Sequence, residues 1–318
     1  MSAGPEGAQG PAPAANAGGR KAVEQAKGAV TPPAWVAYAG AMQGGRAARP
    51  MVMGVLNVTP DSFSDGGRYL GPDEAVAHGR RLAAEGADLV DVGGESSRPG
   101  ARPVEESEEL RRVLPVIEAL APEVRVSVDT VKPAVAAAAV AAGASVVNDI
   151  SGRLWTVAAE HGVGWVSMHM QGTPADMQRD PRYGDVAAEV HAAVLDRARR
   201  AADAGVPEVW VDPGIGFGKT AAHNLTLLAR LGELASAARA EGFGVLVGTS
   251  RKGFLGALGA PPGAEPSRVD DRLEASLATA VHAMVHGATM VRVHDVAPTV
   301  IAAELVGPGP HPAGREAA

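Results

Sequence analysis

A short apolar run that closes on polar residues recurs eight times along this chain, at 51–58, 88–93, 124–129, 145–150, 164–169, 208–212, 245–250 and 289–294. Each run is rich in Val, Ile, Leu or Met, the composition of a strand buried on both faces. Helical stretches lie between them, at 73–85, 104–120, 133–142, 185–204, 224–241 and 272–286, with a shorter one near 156–161. Eight strands alternating with helices over about 250 residues predict an α/β fold, a single-domain (β/α)8 TIM barrel. A doubly wound open sheet would concentrate its polar strand ends near one switch point. Here all eight strands end on them, which favours the barrel.

The flanking segments read differently. Residues 1–48 are rich in Ala, Gly and Pro and have little periodicity, so an extension that is mostly disordered is expected there. The barrel is expected over 49–306 and a flexible tail over 307–318. Hydrophobic residues make up 46% of the 318, enough for a full core. The formal net charge is −7 and no basic stripe stands out, so no nucleic-acid partner is expected. Cysteine is absent, which excludes disulfides, thiolate metal sites and a cysteine nucleophile. Residues 1–30 lack an apolar core followed by a cleavage site. The longest uncharged apolar stretch, 133–147, is short of the roughly 20 residues of a membrane span. The expectation is a soluble cytoplasmic protein with no membrane partner.

In such a barrel the C-terminal strand ends converge on one mouth. The tips are Asn57, Asp91 with Glu95, Asp129, Asn148 with Asp149, His169, Asp212, Ser250 with Arg251 and Lys252, and Arg292 with His294. Asp129, Asn148 and Asp212 on one side can accept hydrogen bonds from an amino-pyrimidine or guanidine-like edge. Arg98, Arg292, His294 and Asn57 on the other suit an anion such as a phosphate or diphosphate. After Asp212, the glycines 214, 216 and 218 allow backbone to approach a ligand closely. Their spacing meets neither the dinucleotide fingerprint nor a P-loop. Three His at zinc-like spacing are absent too. The loops at 57–67, 93–101 and 168–178 are longer or richer than connectors require, as ligand-covering loops often are.

An Asp at the end of a strand can instead cap the next helix. Asp91 and Asp149 read as internal hydrogen-bonding groups rather than ligand contacts. His169, between Met168 and Met170, reads either as a core histidine or as part of the site. His161, His191, His223, His282 and His286 read as surface or packing residues.

Eight blocks in order carry a resemblance: GVLNVTPDSFSDGG at 54–67, VGGESSRPG at 92–100, SVDT at 127–130, VNDI at 147–150, MHM at 168–170, DPGIGFGK at 212–219, GTSRK at 248–252 and RVHDV at 292–296. Over about 51–305 the chain resembles the dihydropteroate synthase family. The resemblance implies a (β/α)8 barrel, usually a homodimer, that condenses p-aminobenzoate with 6-hydroxymethyl-7,8-dihydropterin diphosphate with the help of Mg²⁺. It also implies that the protein is a sulfonamide target, since those drugs resemble p-aminobenzoate. By motif, Asp129, Asn148, Asp212 and Lys252 match the pterin-binding set. Ser97, beside Arg98, stands where many members carry Thr. Arg292 and His294 would reach the diphosphate, and Asn57 matches the magnesium contact. Phe63, Asp65, Arg98 and Pro99, with Phe217 and Lys252, would frame the p-aminobenzoate site. The matched roles imply Arg98, Asp129, Arg292 and His294 as the catalytic group. Gly253 stands where several relatives carry Ser or Arg. A pterin-binding methyltetrahydrofolate–corrinoid methyltransferase and an inactive paralogue are the alternatives. The first would not need the loop at 57–67, Ser250 to Lys252 or the 292–294 terminus, and the second would have lost tip residues.

Overall fold

The computed structural model describes Met1 and residues 49–59, 71–98, 100–258, 265 and 267–307. The segments read as an extension (1–48) and a tail (307–318) therefore fall, apart from Met1 and Gly307, outside the described residues. Eight parallel strands close into a barrel in chain order: β1 (Met51–Asn57), β2 (Leu89–Gly93), β3 (Arg125–Asp129), β4 (Val146–Asp149), β5 (Gly164–Met168), β6 (Val209–Asp212), β7 (Gly244–Val247) and β8 (Met290–Val293). β1 pairs with β2 through Gly54 and Val90 and with β8 through Met51 and Met290, so the sheet has no edge and the open-sheet alternative is excluded.

Two apolar layers hold the barrel. Inside it, Met53, Leu89, Val146, Val166, Trp210, Leu246 and Met290 form one buried cluster. Outside it, strand residues such as Val52, Val90 and Val126 pack against helix residues such as Leu82, Ile117, Val194 and Leu234. A strand buried on both faces needs no alternation of polarity, which is why the sequence shows continuous apolar runs. Trp210 is the bulkiest side chain of the inner cluster, and its neighbours make room for it. A Cβ at Gly244 would lie 2.3 Å from its ring.

The helices differ from expectation in three places. The stretch expected at 224–241 is two helices, Ala221–Ala229 and Leu231–Ala240, divided at Arg230. Thr220 starts the first with a capping box, its hydroxyl accepting the His223 N–H while the His223 ring accepts the Thr220 N–H. The break leaves the Arg230 guanidinium paired with Asp185 and Glu233. The helices Gly253–Leu258 and Val296–Val306 are additions. The first is a short run after a loop, and the second is aliphatic nearly all round and shows no helical stripe.

Candidate active site

Side chains alternate along a strand, so residues two beyond the inner cluster point the same way, one layer nearer the C-terminal mouth. Asp91, Asn148, Met168, Asp212 and Arg292 stand two past Leu89, Val146, Val166, Trp210 and Met290. Asn57 and His294 stand four past Met53 and Met290. The polar tips share the phase of the barrel's apolar interior, and that places them in one mouth.

The centre of the mouth is an ion network. Arg292 Nε donates to Asp91 Oδ2 at 2.6 Å, and its Nη2 donates to Asp129 Oδ2 at 2.8 Å. Asn148 Nδ2 donates to the same Asp91 oxygen at 2.9 Å. Asp91 is fully buried, so it acts as an internal strut that orients Asn148 and Arg292, in line with its sequence reading. One expectation is corrected here. The acidic and basic tips do not occupy opposite sides, because the long Arg292 side chain spans the narrow mouth and pairs with Asp129 directly.

Burial and charge set the protonation states. Burial, aided by Asp91 and Glu109 and opposed by Arg292, pushes Asp129 up to about 7. Burial pushes Asp212 up to about 6, although the Gly214 N–H donates to its carboxylate at 2.7 Å. Lys252 is drawn down to about 8 by burial and by Arg292, with Asp212 and Asp129 opposing. Its ammonium lies 3.9 Å from the centre of the Phe217 ring, a cation–π contact. Burial works against the Arg292 charge, but Asp91 and Asp129 outweigh it and hold its pKa above the ordinary value.

His294 is drawn down to about 3 by burial and by Arg292 and Arg251, so it is a neutral imidazole. Ser250 Oγ accepts the His294 backbone N–H at 3.1 Å and lies 3.1 Å from Nδ1. The hydroxyl hydrogen is thus available to Nδ1, which assigns the ring proton to Nε2.

Asp149 caps the following turn, accepting Ser151 N–H at 2.8 Å and both Arg153 and Leu154 N–H at 2.6 Å. It is internal, as read from the sequence. His169 Nδ1 lies 3.1 Å from Lys219 Nζ, and burial with that charge draws its pKa down to about 3.

Ser97 and Arg98 lie on the loop after β2. Arg98 is exposed, and among the described residues its guanidinium makes no hydrogen bond or ion pair, so the structure does not bring it to the Arg292 cluster. The root of that loop is fixed. Lys132 Nζ donates to Glu95 Oε2 at 2.5 Å and to Glu109, and Glu95 Oε2 also accepts Val104 N–H at 2.8 Å. Glu95 thereby ties together both ends of the 96–103 excursion. Phe63, Asp65 and Pro99 lie outside the described residues.

Two features went unread in the sequence. Lys219 appeared only as the end of a glycine-rich run, yet it is buried, with 3% of its surface exposed. Lys132 and Glu109 lie outside the strand tips and answer to no strand-end pattern. A lysine directly after closely spaced glycines is the one signal that could have drawn notice to Lys219.

The barrel mouth, with carboxylates and an amide facing an arginine and a neutral histidine, is that of an enzyme site for a polar heterocycle. Residues 53–294 match the family of pterin binding enzymes. The chain is 47% identical over 265 residues to dihydropteroate synthase of Mycobacterium leprae, covering 80% of this chain and 92% of that one. A solved structure of Xanthomonas albilineans dihydropteroate synthase with 4-aminobenzoic acid is 48% identical, with a TM-score of 0.73, over 81% of this chain and 92% of that one. Another from the same organism, in complex with 7,8-dihydropteroate, is 44% identical with a TM-score of 0.69, over 81% and 93%. The chain belongs to the dihydropteroate synthase family of pterin-binding enzymes.

Proposed function

We propose that the protein is a transferase of folate biosynthesis that condenses p-aminobenzoate with 6-hydroxymethyl-7,8-dihydropterin diphosphate, giving 7,8-dihydropteroate and diphosphate. The observation that carries this reading is the joining of Asp129, Asn148 and Asp212 with Lys252, Arg292 and His294 in one barrel mouth. Asp129, Asp212 and Asn148 receive the amino-pyrimidine edge of the pterin, which presents donors to carboxylates and both donors and acceptors to an amide. Lys252, which lies over the Phe217 ring and feels the Asp212 charge, is proposed to stand where pterin and aminobenzoate meet. Arg292 lies along the pterin and reaches toward the diphosphate, Ser97 faces the same tail, and Nε2–H of neutral His294 donates to it. Phe63, Asp65, Arg98 and Pro99 complete the aminobenzoate side with Phe217.

Asn57 is the proposed magnesium contact. It lies at the tip of β1, where a Cβ built at Gly93 would be 3.9 Å from its Oδ1 and 3.8 Å from Asp129 Oδ2. Among the described residues no group of three His, Asp or Glu could hold a metal by itself. The Asn57 amide oxygen is a hard oxygen donor of the kind Mg²⁺ prefers, and the other ligands would come from substrate phosphate and water. When bound, the ion neutralises diphosphate charge.

The reaction begins with cleavage of the bond from the pterin methylene carbon to oxygen. The electron pair leaves on the diphosphate, stabilised by Arg292 and His294 in the mouth and by Arg98, which the loop after β2 would bring in with substrate bound. The electron-rich dihydropterin spreads the resulting positive charge, and Asp129 and Asp212 lie close to it. The neutral aryl amine then forms the new C–N bond, and its proton passes to the departing diphosphate. That step depends on positioning more than on a strong base, and the covering loops exclude water, which would capture the cation.

Incubating the purified protein with both substrates and Mg²⁺ tests the reading. Equal amounts of 7,8-dihydropteroate and diphosphate are the expected products, and their absence refutes it. Methyl transfer from methyltetrahydrofolate to a corrinoid would favour the other class of pterin barrel. In the same assay sulfonamides are expected to compete with p-aminobenzoate. Two copies per assembly are also proposed, supported by the exposed apolar side chains Val285, Ile301 and Leu305 on the last two helices, and sedimentation tests this. Among the described residues no helix is long and apolar enough to cross a membrane, in keeping with a proposed cytoplasmic location.

A further inference from the structure

The turn after β6 carries Phe217, and its backbone is held by side chains. Lys219 Nζ donates to the carbonyls of Gly214 at 3.0 Å and Phe217 at 2.9 Å. It also reaches across to the His169 carbonyl at 3.2 Å, just past β5. Gln178 Nε2 donates to the Gly216 carbonyl at 2.7 Å, and Tyr183 Oη donates to the Gly218 carbonyl at 2.8 Å. Within 214–218, only the Ile215 carbonyl lacks such a partner. The turn also sits too close to its neighbour to be replaced by a regular connector. Gly214 has φ +64°, and a Cβ there would lie 1.8 Å from the His169 carbonyl oxygen.

A buried ammonium among carbonyls is costly unless its hydrogens are taken up. Three N–H groups meet three carbonyl oxygens here, with His169 Nδ1 at 3.1 Å as a fourth neighbour. Lys219 is turned onto these carbonyls, and the reaction described above does not use it. What it fixes is the Phe217 backbone, and the Phe217 ring lies beneath Lys252. Met177, from the same long loop as Gln178, belongs to the same buried apolar cluster as Phe217.

We propose that Lys219, with Gln178 and Tyr183, is a positioning residue for p-aminobenzoate: these side chains clamp the 214–218 turn so that Phe217 and Lys252 present one preformed wall to the aryl ring. The role rests on the function proposed above and deepens it. Asp212 begins the same turn, but its backbone is paired to β5, where His169 N–H donates to its carbonyl at 3.0 Å. The clamped Gly214 also donates its N–H to the Asp212 carboxylate, so loosening the clamp affects the aryl substrate more than the pterin without sparing the pterin altogether.

The test compares Lys219→Met, Gln178→Ala and Tyr183→Phe with the wild-type full chain in steady-state kinetics and hydrogen–deuterium exchange. Lys219→Met keeps the stem and removes all donors, and should raise the KM for p-aminobenzoate roughly tenfold. Its kcat and pterin diphosphate affinity should change by less than about threefold. Tyr183→Phe and Gln178→Ala should raise the same KM about threefold each, with faster exchange over 212–220. An unchanged aminobenzoate KM overturns the proposal, as does a parallel loss for both substrates. If Lys219→Met does not fold, the two milder variants decide by the same criterion. A wild-type protein that makes no dihydropteroate refutes the function itself. Exchange over 212–220 then still shows whether the clamp exists, and unchanged exchange in the variants refutes it.

Discussion

Replacing Asp91 by Asn should damage both stability and pterin binding, although Asp91 is not proposed to touch substrate. The substitution keeps the shape and removes the charge. In the native protein a single oxygen, Oδ2, accepts from both Arg292 Nε and Asn148 Nδ2. An amide at 91 can still accept both donors on its one oxygen, but without the negative charge, and its NH₂ would take the buried Oδ1 position, which has no partner among the described residues. Removing one partner from a buried charge pair costs about 3–5 kcal/mol. Arg292 retains Asp129 at 2.8 Å, which moderates the loss. A cost of about 2–3 kcal/mol follows, or a fall of about 5–10 °C in Tm for a barrel of this size. Asn148 would be held by a weaker, uncharged acceptor, weakening pterin binding by about 10-fold. Differential scanning calorimetry reads the first effect and titration calorimetry with the pterin diphosphate reads the second. A variant with wild-type Tm and wild-type affinity would refute the assignment of Asp91 as the strut.

The pH dependence of kcat/KM for the pterin substrate should be bell-shaped. It rises as the acceptor carboxylates of Asp212 and Asp129 lose their protons near 6 and 7, and falls as Lys252 loses its charge near 8; a flat profile from pH 6 to 9 would contradict those roles. Arg251 has φ 58°, a left-handed conformation costly for a side chain, while pairing with Asp295 at 2.6 Å. Arg251→Gly should therefore be about 1 kcal/mol more stable than Arg251→Ala in denaturant titration, and equal stabilities would remove the strain from the account. Gly244→Ala would place a methyl 2.3 Å from the Trp210 ring, and should cost about 3 kcal/mol and change the tryptophan fluorescence; a neutral outcome would mean that the barrel interior repacks freely. Arg98→Ala should reduce kcat more than pterin affinity, and an unchanged kcat would exclude it from handling the leaving group.

Much of the barrel was legible because buried parallel strands write themselves as plain apolar runs. The same regularity exposed the tips. Asp129, Asn148 and Asp212 could be assigned to one mouth from strand ends alone, and the structure gathers them there. What the sequence hid depends on side-chain reach and on turns. Nothing local shows that Arg292 crosses to Asp91, because the two are brought together only by closure of β8 on β1. Lys219 lies in a turn where period-two alternation no longer applies, so its burial was not readable. The helix Val296–Val306 was missed for a related reason: an aliphatic helix without a polar stripe lacks the signal that marks its amphipathic neighbours. The division at Arg230 is accompanied by ion pairs with Asp185 and Glu233, and the former is distant in sequence.

The most direct test is a crystal structure of the protein with the pterin diphosphate bound. The account predicts the heterocycle deep in the barrel mouth, its amino-pyrimidine edge on Asp129, Asn148 and Asp212, and its diphosphate directed outward past Arg292 and His294. A pterin bound elsewhere, or one in the mouth with its diphosphate pointing inward, would contradict it.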